Sequence, residues 1–379
     1  MIYFDNAATG GFKPSAVTSA VETTVKYLCA NPGRSGHRLS ITGAEIVQNC
    51  RTLIAKTFGA DEDSKVIFTK NCTEALNLGI FGTLKVGGHV ITTVYEHNSV
   101  LRPLFTLKNK GLIELDVLAP TPEKTIDKII KENIKPNTYM IVATAISNVT
   151  GEVLPLEKIG KIADENGLLF LVDGAQGGGH ISLDLKSMHI SMLALAGHKG
   201  LYGIMGSGTL LIDPFTEVEP LILGGTGSES FNLSQPKCYP ERLEAGTLNL
   251  PAIAGLSEGV RFVKNNLENF STHLLKATED LIDKLFDIPS ITCYSKPNPA
   301  GIVSFSSSLL SSTDIADKLN SRYDVAVRGG FHCAPLMHKH LSTHKDGLVR
   351  VSLAVQNSSR ECHYFLRALN EIIKDLNSF

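Results

Sequence analysis

The chain has no tryptophan, no Cys-x-x-Cys pair and no run approaching the ~18 consecutive apolar residues that a membrane-spanning helix needs. The first absence excludes nothing. The second leaves seven cysteines, at 29, 50, 72, 238, 293, 333 and 362, in no regular spacing. That pattern offers no disulfide framework and reads as a reduced, cytosolic protein. The third leaves the longest apolar runs as buried strands. A charge excess is missing too: 36 Lys and Arg face 38 Asp and Glu, for a formal net charge of −2. Nothing here draws the chain to nucleic acid or to a membrane surface. The opening MIYFDNAATG carries Asp5 and no basic region, so a signal peptide is not expected. No repeat or low-complexity tract is visible. What is present is 379 residues, 43% apolar and 20% charged, enough for a packed core in one large domain or two ordinary ones.

Short apolar strands alternate with helical patterns. Helices are expected over 14–29, 38–58, from about Thr73, near 98–110, over 122–133 and over 155–166. Strands are expected at KVIFT (65–69), HVITTV (89–94), IELDVL (113–118), YMIVATAIS (139–147), LLFLVD (168–173), MLALA (192–196) and GTLLI (208–212). Such alternation implies crossover connections and an α/β fold, with a mostly parallel sheet covered on both faces. After Pro251 a long helical stretch to about 286 leads into strands at 291–295, 301–307, 325–330 and 348–354, with helices at about 313–322 and 359–377. The expected division is a large α/β domain over 13–250 and a smaller α+β domain over 251–379. Residues 1–12 are expected to pack near the second domain or at the junction.

Ligands of open parallel sheets sit beyond the carboxyl ends of the strands, so the residues after each apolar run matter most. LLFLV is followed by Asp173, a helix cap or a carboxylate facing a cationic ligand. MLALA is followed by Gly197-His198-Lys199-Gly200. That lysine either snorkels to the surface or sits desolvated in a cleft as a nucleophile. KVIFT is followed by Lys70-Asn71-Cys72-Thr73-Glu74, where Asn71 and Glu74 fit a capping box and the helix start is an anion site. His97 follows HVITTVYE as a turn residue or as a flat ring for an aromatic ligand. In this chain order, anion cradle, imidazole, strand-end Asp and Gly-flanked Lys form the layout that holds pyridoxal 5′-phosphate.

The segments FDNAATG, GRSGHRLS, TEALNL, EHNS, SNVTG, VDGAQ, GHKG, EAGT and RGGFHCAP resemble the class V aminotransferases of fold-type I pyridoxal-phosphate enzymes. Within them they resemble the cysteine desulfurase and selenocysteine lyase branch. The resemblance runs from residue 3 to about 357. It implies a large domain with a mostly parallel mixed sheet plus a small α+β domain. By it, Lys199 carries the cofactor, Asp173 meets the pyridine nitrogen, Gln176 the ring oxygen and His97 the ring face. Thr73 and His198 contact the phosphate, and Asn148 lies beside the ring oxygen and the substrate. Thr247 reaches the phosphate of a partner subunit, which implies a homodimer with shared active sites. One position departs from the pattern: Ala196 stands where relatives often carry a hydroxyl, a loss of roughly 1 kcal/mol. Thr226 is a candidate replacement.

Cys333 alone among the cysteines lies in a Gly-rich loop beside a histidine; Cys29, Cys50 and Cys362 read as small buried hydrophobes. The resemblance makes Cys333 the persulfide-forming residue. Its loop is short, as in the type II desulfurases, so a dedicated sulfur-acceptor protein is expected. Arg350, inside an apolar strand, needs an anion and suits a substrate carboxylate. Arg328 and Arg34 are loop and entrance candidates. The histidines at 332, 338, 340 and 344 match no standard zinc spacing and read as a polar loop lining the cleft, with His332 or His338 available for proton transfer. The expected reaction converts L-cysteine to L-alanine and a persulfide. Rivals are selenocysteine β-lyase, another class V reaction, and a retired sulfur- or metal-handling scaffold. The intact Lys199, Asp173 and His97 set argues against the last.

Overall fold

Period-two alternation in the central strands decides how the chain folds. In the computed structural model, which describes residues 1–28, 30–61 and 65–377, Ile141, Ala143, Phe170, Val172, Leu193 and Leu195 join one apolar cluster. The residues between them, Met140, Val142, Leu171, Met192, Ala194 and Ala196, join a second cluster on the opposite face. Both faces of the sheet are therefore covered, and each fully buried large side chain contributes roughly 1.5–3 kcal/mol of transfer free energy.

Among the described residues the elements run β1 (Ile2–Tyr3), α1 (Ser15–Tyr27), α2 (Arg38–Thr57), β2 (Val66–Thr69), α3 (Cys72–Gly82), β3 (Gly88–Thr93), α4 (Asn98–Asn109), β4 (Ile113–Leu118) and α5 (Ile126–Glu132). They continue with β5 (Thr138–Thr144), α6 (Leu156–Glu165), β6 (Leu169–Asp173), β7 (Met192–Ala196), β8 (Gly208–Ile212), α7 (Leu250–Lys264) and α8 (Leu267–Phe286). The last are β9 (Ile291–Cys293), β10 (Ile302–Ser307), α9 (Ser312–Tyr323), β11 (Val325–Ala326), β12 (Arg328–Gly330), α10 (Pro335–His340), β13 (Leu348–Ser352) and α11 (Ser359–Asn377).

The seven-stranded sheet has the order β2-β8-β7-β6-β5-β3-β4. It is parallel except for β8, which is antiparallel to both neighbours. The carboxyl ends of β5, β6 and β7 lie side by side, with Thr144 opposite Asp173 and Asp173 opposite Ala194. A four-stranded antiparallel sheet, β12-β13-β10-β9, has its own apolar cluster built on Phe4, Phe305, Phe365 and the apolar face of α11. The chain thus has the mixed-sheet α/β architecture that the resemblance implies.

Three expectations need adjusting. The helical stretch after Pro251 is two helices, α7 and α8, and α7 packs against α1 and α2. The strand expected over 325–330 is split: β11 pairs with β1, while β12 pairs with β13. Part of the expected polar loop is the short helix α10, too brief to show a period. Residues 1–12 bridge the two sheets. β1 lies on β11, Asp5 bridges Ser352, and Gly10 N–H donates to the carbonyl of His198 at 3.0 Å. Cys50 is buried in α2 and Cys362 half-buried in α11, whereas Cys29 lies outside the described residues.

Candidate active site

The strand-end residues converge on a cavity of about 220 Å³ whose lining includes Thr73, His97, Asn148, Asp173, Gln176, His198, Lys199, Arg328 and Arg350. Lys199 follows β7 in a loop that close packing forces to be glycine-flanked. A Cβ on Gly197 would lie 2.2 Å from Ser207 Oγ, and one on Gly200 would lie 2.4 Å from the Gly178 carbonyl. Burial lowers the Lys199 pKa, against the pull of Asp173; Arg350 and Arg328 push the same way as burial. The neutral amine is thereby favoured, the form that attacks a carbonyl carbon.

Asp173 is 2% exposed at the end of β6. Its Oδ1 accepts Ala175 N–H at 2.9 Å and lies 3.4 Å from Cys72 Sγ. Asn71 caps α3, its side chain accepting Glu74 N–H at 2.9 Å, while Glu74 accepts Lys70 N–H at 2.6 Å. The Asn71 half of the capping box forms, while Glu74 reaches back to the residue before the cap; the backbone N–H groups of Cys72 and Thr73, at the first turn, have no carbonyls one turn earlier. That is an anion cradle.

His97 caps α4. Its Nδ1 accepts Ser99 N–H at 3.0 Å, so the proton of the neutral ring sits on Nε2. Burial lowers its pKa to about 4 despite Asp173, so the imidazole is an uncharged flat surface near neutral pH. His198 Nδ1 pairs with Thr9 Oγ1 at 3.0 Å, and burial with the Lys199 charge lowers its pKa to about 4. Two amides carry buried oxygens with no partner among the described residues: Gln176 Oε1 and Asn148 Oδ1. Their nitrogens are engaged, Gln176 Nε2 with the Ala7 carbonyl at 2.9 Å and Asn148 Nδ2 with the His332 carbonyl at 2.7 Å.

Arg328 and Arg350 stand opposite each other on β12 and β13. Arg350 is 1% exposed, with Nη1 donating to the Asn148 carbonyl at 3.0 Å and Nη2 to Asp5 Oδ1 at 2.9 Å. Two cations against one carboxylate leave one positive charge for an incoming anion. Cys333 does not line the cavity. It is held beside it, its Sγ 3.9 Å from Arg328 Nη2 and its carbonyl accepting Asn98 N–H at 2.7 Å. His332 and Cys333 are consecutive non-glycine residues in the left-handed region, at φ 49° and 57°. Such backbone is costly, and here Asn148 Nδ2 on the His332 carbonyl and Asn98 N–H on the Cys333 carbonyl hold it.

Other sequence candidates lie elsewhere in the single chain. Thr247 lines a separate cavity of about 600 Å³ with Lys70 and Glu74. Arg34 sits in a third cavity with Thr226, its Nη2 bound to the carbonyls of Gly225 and Gly246 at 3.2 Å each. Thr226 therefore does not replace the hydroxyl missing at Ala196 within one chain. His332 lines the cavity, but His338 is fully buried on α10 against Thr343 Oγ1 at 2.8 Å and cannot serve the cleft. Among the described residues, no three His, Cys, Asp or Glu side chains gather as metal ligands.

Three contributors escaped the sequence reading: Asp5, Cys72 and Glu96. Glu96 is fully buried beside Asp173, with Oε1 accepting Thr144 N–H at 3.0 Å and Thr93 Oγ1 at 2.6 Å. Burial raises its pKa to about 8, and the Asp173 charge adds to the rise. An acid in the otherwise apolar-to-polar turn before His97 was the available signal.

The aminotransferase class-V family model matches residues 2–365. The chain belongs to the class-V aminotransferase family. Enzymes of this family are in general pyridoxal-phosphate-dependent. A probable cysteine desulfurase from Pyrococcus abyssi is 34% identical to this family member, covering 100% of this chain and 96% of that protein. A cysteine desulfurase structure from Thermococcus onnurineus NA1 superposes with a TM-score of 0.92 at 32% identity, covering 99% of this chain and 95% of that one. The cysteine desulfurase CsdA from Escherichia coli shares the fold, with a TM-score of 0.89 at 24% identity over 99% of this chain and 95% of that one. Among the described residues, no helix of this family member is long and apolar enough to cross a membrane.

Proposed function

We propose that this chain is a pyridoxal 5′-phosphate-dependent cysteine desulfurase that converts L-cysteine to L-alanine and passes the sulfur to Cys333. The observation that carries the reading is one cavity with Lys199 and Asp173 at the sheet end, an arginine pair on the small sheet, and Cys333 pinned to Arg328 at its edge.

The cavity fits the cofactor by the chemistry of its walls. Two orphaned amide oxygens call for a polar occupant, the start of α3 for an anion, and the strand-end carboxylate for a cationic nitrogen. Lys199 would hold the aldehyde carbon, Asp173 the ring nitrogen, Gln176 and Asn148 the ring-oxygen side, and Thr73, His198 and the α3 amides the phosphate. When bound, pyridoxal phosphate supplies a ring that stores the electron pair of a broken Cα–H bond. Arg350 and Arg328 bind the amino-acid carboxylate as a charge-assisted fork. Lys199, as the neutral amine that burial favours, accepts the Cα proton. Cys333 takes the substrate sulfur as a persulfide, leaving the carbon skeleton as L-alanine. Thr247 and Arg34, remote from this cavity within one chain, serve the site of a partner subunit, so the enzyme is a homodimer. A separate acceptor protein relieves the short Cys333 loop of its sulfur.

The test is alanine with sulfide from L-cysteine, measured beside alanine with selenide from L-selenocysteine. Turnover of L-cysteine to alanine and sulfide with added thiol supports the reading. Turnover of L-selenocysteine alone assigns the chain to selenocysteine β-lyase chemistry instead.

A further inference from the structure

Two cysteines stand near the reacting centre, and the one inside the cavity wall is not the sulfur carrier. Cys72 lines the cavity as the first residue of α3 and is 8% exposed. Its Sγ lies 3.4 Å from Asp173 Oδ1, a distance at which a thiol donates to a carboxylate oxygen. A thiolate there would set two anions against each other in a site shielded from water. Burial and the Asp173 charge accordingly raise the Cys72 pKa well above that of an ordinary thiol. Cys72 stays S–H, a donor and not a nucleophile.

The two oxygens of Asp173 are consequently unlike. Oδ1 receives Ala175 N–H at 2.9 Å and the Cys72 thiol. Among the described residues no group donates to Oδ2. We propose that Cys72 is a positioning residue: its thiol and the Ala175 amide clamp Oδ1, fix the rotation of the carboxylate, and leave Oδ2 as the acceptor for the ring nitrogen of the cofactor. This rests on the reading of Asp173 given above.

Helix α3 makes the arrangement economical. The same first turn that offers Cys72 and Thr73 amides to a phosphate offers the Cys72 side chain to Asp173, so one element registers both ends of the cofactor. With Cβ fixed by the helix, a serine keeps a donor but reaches less far, because a C–O bond is shorter than a C–S bond. Cys72→Ser is therefore conservative in chemistry and imperfect in reach.

The experiment is a double-mutant cycle on cofactor affinity in the full-length protein, with Lys199 intact, using wild type, Cys72→Ala, Asp173→Ala and the double variant. Pyridoxal phosphate is titrated into each, and the visible absorption of the bound cofactor is followed against pH. Cys72→Ala is expected to weaken binding about 3- to 10-fold beside Asp173, the range of one modest hydrogen bond, and to move the absorption pH profile. In the Asp173→Ala background it is expected to change affinity less than about 1.5-fold. Cys72→Ser is expected to recover part of the loss. A second measurement needs no cofactor: the infrared S–H stretch that disappears in Cys72→Ser should move toward the free-thiol position in Asp173→Ala. Equal losses in both backgrounds, or no loss and no shift beside Asp173, would overturn the proposal. If Asp173→Ala alone changes neither affinity nor spectrum, the ring-nitrogen reading of Asp173 fails, a result separable from the additivity test.

Discussion

The guanidinium of Arg350 on β13 is bound to the carboxylate of Asp5, 345 positions earlier in the chain, at 2.9 Å. The arginine is 1% exposed and the aspartate side chain 24%. Arg350 also donates to the Asn148 carbonyl, so it joins the N-terminal segment, the second sheet and a loop of the first sheet at one point. A buried cation that loses its one carboxylate partner among the described residues is expensive. Asp5→Ala should destabilise the protein by about 2–3 kcal/mol. Asp5→Asn, which keeps an oxygen acceptor, should cost less. Chemical denaturation of the two variants beside wild type checks this, and an unchanged midpoint for Asp5→Ala would show that the pair does not hold the junction.

Glu96 makes stability depend on pH. Burial holds its pKa near 8 in the folded chain, against 4.5 ordinarily. Between these values the folded protein keeps a proton that the unfolded chain has released. The contribution is therefore intact at low pH and declines as pH rises through this window, by a few kcal/mol in total at about 1.4 kcal/mol per unit. Glu96→Gln cannot ionise and should lose less stability from pH 5 to pH 8 than wild type. Thermal midpoints at several pH values provide the comparison. Parallel profiles would mean that Glu96 is ionised in the folded protein.

Strand-end chemistry was legible because an apolar run must stop where a polar ligand begins. Asp173 abuts five apolar residues, Lys199 follows another five by way of Gly197 and His198, and the fold brings them to one cavity. Asp5 was not legible as a partner, since its arginine lies at the other end of the chain and the bridge from Asp5 to Ser352 on β13 brings them together. Cys72 looked like part of a helix cap, which it is; that its sulfur meets Asp173 depends on how α3 sits on the sheet. The reach of Thr247 and Arg34 could not be judged from spacing, and within one chain both face other cavities.

Lys199 should be the attachment point of the cofactor. Borohydride reduction of the loaded enzyme followed by peptide mapping should place the pyridoxyl label on Lys199. Lys199→Ala should bind the cofactor reversibly, because Asp173, Thr73 and His198 remain. A label on Lys13, whose pKa burial lowers to about 8 and which reaches the His198 carbonyl at 3.2 Å, would reassign the nucleophile.

Thr247 supplies a check on assembly. Light scattering of the loaded enzyme should give the mass of two chains, and Thr247→Ala should weaken cofactor retention roughly 10- to 100-fold, as expected for one lost hydrogen bond to a charged group. An active monomer would leave Thr247 as an ordinary loop residue bound to Asn31, whose Nδ2 lies 3.4 Å from its hydroxyl.

Cys333 is proposed to accept sulfur although it stands beside the cavity and not in its wall. A thiol leaves carbon poorly unless a nucleophile takes the sulfur, whereas a selenol is more acidic and its bond to carbon weaker. The decisive measurement is alanine formed by wild type and by Cys333→Ala from L-cysteine and from L-selenocysteine, without added acceptor. The variant is expected to form no alanine from L-cysteine and to keep much of its activity on L-selenocysteine. Desulfuration of L-cysteine by Cys333→Ala at the wild-type rate would contradict that role.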